Sequence, residues 1–357
     1  MTIAPLHTWL SSASEPLVIS GPCGAESEQQ VLATAKELST IPQVALFRAG
    51  VWKPRTRPNS FEGLGEQALV WLQEAKKQFG LKTAVEIANA QHAELALKYG
   101  VDVLWIGART TVNPFSVQEI ADFLKGVDVP VMIKNPIHAD LQLWIGAIER
   151  INQAGITKIA AIHRGFHYYG NHKYRNQPLW KIPIELRTLL PELPIICDPS
   201  HIAGKRELIF EVAQEAMNIG FNGLMIESHY NPSEALSDAK QQLLPTDLRS
   251  LINSIKIRTA GNQDSELAIR LLELRKLIDE IDEELLNVIQ KREDVIRLIG
   301  GYKKNHEVTV FQLERWQEIL KTRAQWAQSR GISRTHVEKI CQLLHEESIR
   351  IQNEMFN

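Results

Sequence analysis

The sequence predicts two structural classes in one chain: an α/β (β/α)8 barrel, followed by an all-α domain. Three observations carry this. Eight short apolar runs alternate with amphipathic stretches along the first 250 or so residues. All 16 prolines lie at or before Pro245, and 17 of the 20 glycines precede Ser265. From Glu266 onward the apolar residues fall into a heptad pattern.

The runs are Leu17–Ser20, Val44–Arg48, Thr83–Ile87, Val103–Ile106, Val129–Lys134, Lys158–His163, Ile195–Asp198 and Gly223–Glu227. They are rich in Val and Ile and short, as expected of parallel strands buried on both faces. Helical stretches lie between them, among them Glu28–Leu38, Gly65–Gln78, Ala90–Tyr99, Val117–Lys125 and Lys205–Asn218. An open doubly wound sheet is the alternative, but eight units favour closure. The barrel is expected over residues 1–258, a polar linker over 259–265 and the helical domain over 266–357.

In the tail, Leu267, Leu271, Leu274, Ile278, Ile281, Leu285 and Val288 step by four and three, and the seam continues through Arg292, Val295, Ile299 and Tyr302. A helix of about 38 residues would be roughly 57 Å long, weakened near its end by Gly300-Gly301. So small a domain cannot cover that stripe alone, so at least a dimer is expected. Val337, Cys341, Leu344, Ser348, Ile351 and Met355 repeat the steps in the last helix. Arg292 is the anomaly on the seam. It is a specificity device, a member of an intrachain ion pair, or the holder of an anionic ligand between helices.

Charge excludes several functions. Forty Lys+Arg against 42 Asp+Glu give a net charge of −2, with no electrostatic footprint for nucleic acid. No apolar run reaches the length of a membrane span. Three cysteines fit a reducing, cytoplasmic compartment rather than a disulfide scaffold.

The run ends carry Cys23, Arg48 with Lys53, Glu86, Arg109, Lys134, Arg164, Asp198 with His201, and Glu227. In a barrel these ends converge on the face where active sites form. So many cations on one pocket call for polyanionic substrates. Cys23, His201, Glu227 and Asp238 offer mixed soft and hard donors, which suit Mn²⁺, Fe²⁺ or Zn²⁺ better than Mg²⁺, although their wide spacing is weak evidence by itself.

Several motifs follow one another in order: GPCGAES from Gly21, RAGVWKPRTRPNSFEGLG from Arg48, IGART from Ile106, VMIK ending at Lys134, HRGF from His163, DPSHIAGKR from Asp198 and GLMIESHYNPSEALSDAKQQL from Gly223. Together they resemble the 3-deoxy-D-arabino-heptulosonate 7-phosphate (DAHP) synthases of type Iβ over residues 15–250. The resemblance implies condensation of phosphoenolpyruvate with erythrose 4-phosphate, with one divalent metal held by Cys23, His201, Glu227 and Asp238. It implies that Arg109, Lys134 and Arg164 hold phosphoenolpyruvate beside Arg48 and Lys53. Arg55 and Thr56 would grip erythrose 4-phosphate, and Glu86 would be a site carboxylate. The related enzyme that uses arabinose 5-phosphate typically has a KANR-like stretch where this chain has Lys53-Pro54-Arg55-Thr56.

The tail resembles the AroQ-type, all-helical chorismate mutases, on the opening LELRKLIDEIDEELL with Arg275 and on Arg292, Lys303, Arg315, Ser348 and Gln352. The resemblance implies an intertwined dimer that needs no cofactor. Arg292 and the Arg275 of a second copy would bind the two chorismate carboxylates, supported by Arg315. Lys303 and Gln352 would bond the ether oxygen, whose charge grows as the C–O bond breaks. The family often has acidic residues where this chain has Gln312 and Trp316, so the resemblance leaves the contact to the substrate hydroxyl, and its effect on activity, unassigned. A tail that only senses chorismate or prephenate and dimerises the synthase is the alternative. Little chain precedes the first apolar run, so feedback is expected to act through the mutase domain.

Overall fold

In the computed structural model, residues 1–54, 60–170, 172–258 and 265–356 are described, with side chains from residue 270 in the last stretch. The chain divides into two compact units, Met1–Ala260 and Gly261–Asn357.

The first unit is a closed barrel of eight strands in sequence order. They are β1 (Val18–Gly21), β2 (Val44–Arg48), β3 (Thr83–Ile87), β4 (Val103–Ile106), β5 (Val131–Lys134), β6 (Ile159–His163), β7 (Ile195–Cys197) and β8 (Gly223–Glu227). Each pairs in parallel with both neighbours, and β1 closes the ring on β8. Strands 5 and 6 start later than the apolar runs suggest, because Val129, Pro130 and Lys158 belong to the approach rather than the ladder.

The helices are α1 (Glu28–Leu38), α2 (Glu66–Phe79), α3 (Ala90–Lys98), α4 (Ala108–Thr111), α5 (Pro114–Phe123), α6 (Leu141–Gln153), α7 (Lys181–Leu189), α8 (Pro199–Ala203), α9 (Ile209–Asn218) and α10 (Pro245–Ser254). Their starts are written in the sequence. Ser27 accepts a hydrogen bond from Gln30 N, Asn89 from His92 N and Asp140 from Leu143 N. Helix α5 starts at Pro114, three residues before its apolar run, because Asn113 caps it and proline suits the first helical position.

Two apolar layers result. Outside the ring, Phe47, Val85, Leu104, Ile133 and Ala161 meet helix residues such as Leu72, Ile120, Trp144 and Val212. Inside it, Ile19, Leu46, Trp105, Met132, Ile162, Ile196 and Met225 form a second cluster, which Trp9 and Leu10 join from ahead of β1. The interior is therefore packed, and chemistry is confined to the rim.

The second unit is three helices: α11 (Ser265–Asn305), α12 (Leu313–Ser329) and α13 (Arg334–Phe356). The 41 residues of α11 run about 62 Å. The helix continues through Gly300-Gly301, where weakening was expected. A Cβ on Gly300 would lie 2.8 Å from Met355 Sδ and 3.2 Å from Gln352 Cγ, so glycine serves the close approach of α13. The α11 seam is bare within one chain: Leu274, Ile278, Ile281, Leu285 and Val288 are 44–59% exposed.

Glycines at two positions should respond oppositely to added volume. A Cβ on Gly21, at φ +151°, would lie 1.9 Å from Arg48 O, whereas one on Gly146 within α6 meets nothing within 4 Å. Gly21→Ala is expected to destabilise the barrel by about 2 kcal/mol or more and Gly146→Ala to stabilise it by about 0.5–1 kcal/mol. Urea unfolding followed by tryptophan fluorescence reads both signs.

Candidate active sites

The first site lies at the C-terminal rim of the barrel. Cys23 follows β1 through Gly21-Pro22, and Glu227 ends β8. Asp238 is brought in by a turn that it opens in the left-handed conformation, φ 48°. One ligand atom from each of Cys23, Glu227 and Asp238 lies within 4.8 Å of the others. Cys23 Sγ is 3.3 Å from Asp238 Oδ2.

His201, the fourth residue of the expected set, does not join that group but comes near it. Its Nε2 is 3.8 Å from Glu227 Oε1. It is carried there by α8, whose N-cap is Asp198: one carboxylate oxygen accepts the His201 N–H at 3.1 Å. Asp198 Oδ2 lies 2.8 Å from His201 Nδ1 and accepts Lys134 Nζ, also at 2.8 Å. The Asp-Pro-Ser-His stretch is thus both a helix start and a device that aims a histidine.

The cations are anchored before any substrate arrives. Arg48 donates to Glu227 Oε1 at 3.1 Å and to Cys23 O at 3.2 Å. Lys53 Nζ donates to Cys23 O at 2.8 Å and lies 3.0 Å from its sulfur. Arg48 and Lys134 both lie over Trp105, 5.0 and 5.9 Å from its ring centroid. The Trp105 indole donates to Glu86 Oε2 at 3.0 Å, and Gly107 leaves room for that carboxylate: a Cβ there would sit 2.1 Å from Glu86 Oε1.

Arg164 donates to Asn176 Oδ1 at 2.9 Å. Burial, with the nearby charges of Arg175 and Arg109, brings its pKa down to about 10 against the pull of Asp198. Arg109 and Arg164 are therefore electrostatic neighbours, an arrangement that an anion would relieve.

Burial pushes the Cys23 thiol up to about 12, and the Glu227 charge adds to it. Burial opposes ionisation of Asp238 too, but Arg175 above all holds its carboxyl well below the usual range. Cys23, Glu227 and Asp238 are a buried sulfur with two anionic oxygens, and a divalent cation among them would favour the thiolate. The donor set fits a metal.

Sequence reasoning named Asp198 at a strand end without a role and missed Arg175 and Gln241. Arg175 donates to Asp238 Oδ1 and to Gln241 Oε1, each at 2.9 Å, and Gln241 donates to Glu227 Oε2 at 2.7 Å. Their segments have no periodicity, so no local pattern marks them. Arg55 and Thr56 lie outside the described residues. At the rim, a cleft of about 210 Å³ is lined by Trp52, Lys53, Pro54, Glu62, Glu86 and His92 among others.

The second site lies among α11, α12 and α13. Lys303 Nζ donates to Val310 O at 2.6 Å. Arg292 is half-buried, and burial depresses its pKa, helped by Arg323. On α13, Ser348 Oγ donates to Leu344 O at 2.5 Å and Gln352 Nε2 to Ser348 O at 3.0 Å, while Gln352 Oε1 is buried without a protein partner. Arg275 is exposed on α11. Arg315 is exposed and donates to Glu318 Oε2 at 2.6 Å. Trp316 stacks on His345, with centroids 4.2 Å apart, and the sequence reading did not single out His345.

Comparison with known proteins agrees with this division. Residues 10–260 match the DAHP synthetase I family, and residues 274–353 match chorismate mutase type II. The chain belongs to the DAHP synthetase I family and carries a chorismate mutase type II domain after its barrel. The phospho-2-dehydro-3-deoxyheptonate aldolase of Thermotoga maritima is 31% identical over 239 residues, 67% of this chain and 68% of that protein. The 2-dehydro-3-deoxyphosphooctonate aldolase of Campylobacter jejuni subsp. jejuni is 28% identical over 267 residues, 67% of this chain and 94% of that one. A crystal structure of the Thermotoga maritima DAHP synthase superposes with a TM-score of 0.59 at 30% identity, covering 66% of each chain. A truncated form of that organism's enzyme gives 0.57 at 28% identity, over 74% of this chain and 87% of the other. This chain thus spans about two thirds of the length of the full Thermotoga relative.

Proposed function

We propose that one chain performs two steps of aromatic biosynthesis: condensation of phosphoenolpyruvate with erythrose 4-phosphate to DAHP and phosphate, and rearrangement of chorismate to prephenate. The observation that carries the first is the convergence of Cys23, Glu227 and Asp238 beside five strand-end cations, with His201 adjacent. Cys23, His201, Glu227 and Asp238 would hold Mn²⁺, Fe²⁺ or Zn²⁺. When bound, the ion supplies Lewis acidity at the aldehyde oxygen.

The chain's own groups do the rest. Arg109, Lys134 and Arg164 bind the carboxylate and phosphate of phosphoenolpyruvate and orient its C3 toward the aldehyde. Arg48 and Lys53 line the same pocket and stabilise charge as it redistributes. Water adds at C2, and phosphate leaves by cleavage of the C2–O bond. Glu86 is held on Trp105 as a site carboxylate. Arg55 and Thr56 would take erythrose 4-phosphate, and the KPRT stretch favours that aldose over arabinose 5-phosphate.

In the tail, Arg292 and a second copy's Arg275 bind the chorismate carboxylates, and Lys303 and Gln352 bond the ether oxygen. Ser348 completes the polar face, and Arg315 supports the charge from α12. The half-exposed seam of α11 supports a homodimer, since each Leu or Ile that it buries contributes about 1.5–3 kcal/mol. The fusion of the two domains supports feedback by chorismate or prephenate on the barrel.

Two assays on the full chain test this. Removing metal with EDTA is expected to abolish DAHP formation and leave chorismate turnover intact, with Mn²⁺ restoring the loss. Cys23→Ala should lower DAHP formation by about 100-fold or more, and erythrose 4-phosphate should be preferred to arabinose 5-phosphate. Arg292→Ala should have the converse selectivity, losing chorismate turnover and any inhibition of DAHP formation by prephenate. Full DAHP synthesis by metal-free protein would overturn the metal's role.

Ile281→Asp places a charge in the middle of the seam. Sedimentation should show monomers in place of dimers, with chorismate turnover lost because Arg275 no longer reaches the second site. A variant that stays dimeric and active would remove the seam from the account.

A further inference from the structure

Chorismate carries one more polar group than the residues assigned so far can match. Two arginines take the carboxylates, and Lys303 and Gln352 take the ether oxygen. The secondary alcohol of the ring remains. Gln312 and Trp316 cannot serve it as carboxylates would.

Among the described residues, the site holds a buried polar group without an assigned role. His345 lies on α13 three residues before Ser348 and seven before Gln352, so the three share a face of the helix. Two aromatic rings pack against its imidazole. Trp316 stacks on it at 4.2 Å with the rings 14° from parallel, and Phe311 meets it edge-on at 5.8 Å. Arg292 and Lys303 are its electrostatic neighbours. Its Nε2 is buried with no hydrogen-bond partner, as is Oε1 of Gln352 on the same face. Burial first, then the Arg292 and Lys303 charges, lowers its pKa, which favours the neutral ring. A neutral imidazole has one donor and one acceptor nitrogen, and a hydroxyl can answer either.

We propose that His345, held on Trp316, is a specificity-determining residue of the mutase site that hydrogen-bonds the ring hydroxyl of chorismate and prephenate. This rests on the mutase reading above. In this chain, an aromatic shelf and a histidine take the place of a carboxylate contact. The exchange removes an anion from a pocket meant for a dianionic substrate, and it makes recognition of the hydroxyl independent of carboxylate ionisation.

The test compares chorismate with its 4-deoxy analogue, which keeps the ether and both carboxylates, on the full-length protein. Wild type is expected to favour chorismate by about tenfold in kcat/KM, the scale of one neutral hydrogen bond. His345→Leu should lower kcat/KM for chorismate by the same factor and leave that for the deoxy analogue unchanged, so that discrimination disappears. His345→Gln, which keeps hydrogen-bonding groups, should retain part of it. DAHP formation should be unaffected in both. If His345→Leu slows both substrates equally, or discrimination survives it, the proposal is overturned. Should wild type bind prephenate without turning over chorismate, the catalytic reading fails by itself. Calorimetry with prephenate and 4-deoxyprephenate then decides on His345 by the same comparison.

Discussion

Two buried ion pairs organise the barrel's rim: Arg48 with Glu227 and Lys134 with Asp198. Each joins residues far apart in sequence, and each is almost fully shielded from water. A charge in such a place is costly unless its partner is well placed, so the two pairs fix the strands' ends relative to one another. Cys23 is drawn in by its carbonyl, which accepts from both Arg48 and Lys53. His201 is aimed by Asp198. The cationic pocket and the donor cluster are thus one lattice, in which the groups proposed for substrate also orient those proposed for metal.

This lattice explains how a chain of net charge −2 handles polyanions. The positive charge is local and partly balanced by Glu227, Asp198 and Asp238. The tail solves a similar problem differently. Arg292 and Lys303 lie on one long helix with no buried carboxylate as a standing partner among the described residues, and burial weakens the hold of each on its proton. A dicarboxylate would supply the missing counter-charge.

Much of the fold was legible in the sequence because barrel strands buried on both faces read as short runs of Val and Ile. Val44–Arg48, Thr83–Ile87, Val103–Ile106 and Gly223–Glu227 emerge with the bounds that their composition suggests. Where a local rule fails, tertiary packing overrides it. Gly300-Gly301 looks like a break, yet it is a contact surface for Met355 and Gln352. The candidate sites divide the same way. Residues at strand ends were legible because topology sends all such ends to one rim. Arg175, Gln241 and His345 were not, since each is tied to a partner that only the fold brings near: Asp238, Glu227 and Trp316.

The central claim is that the ion-pair lattice prepares a metal site at the barrel mouth. Anomalous diffraction from crystals of the full chain equilibrated with Mn²⁺ tests it most directly. One strong peak per chain is expected, bounded by Cys23 Sγ, Glu227, Asp238 and His201 at coordination distances of about 2.0–2.6 Å. A peak at another place, or none at saturating Mn²⁺, would contradict it.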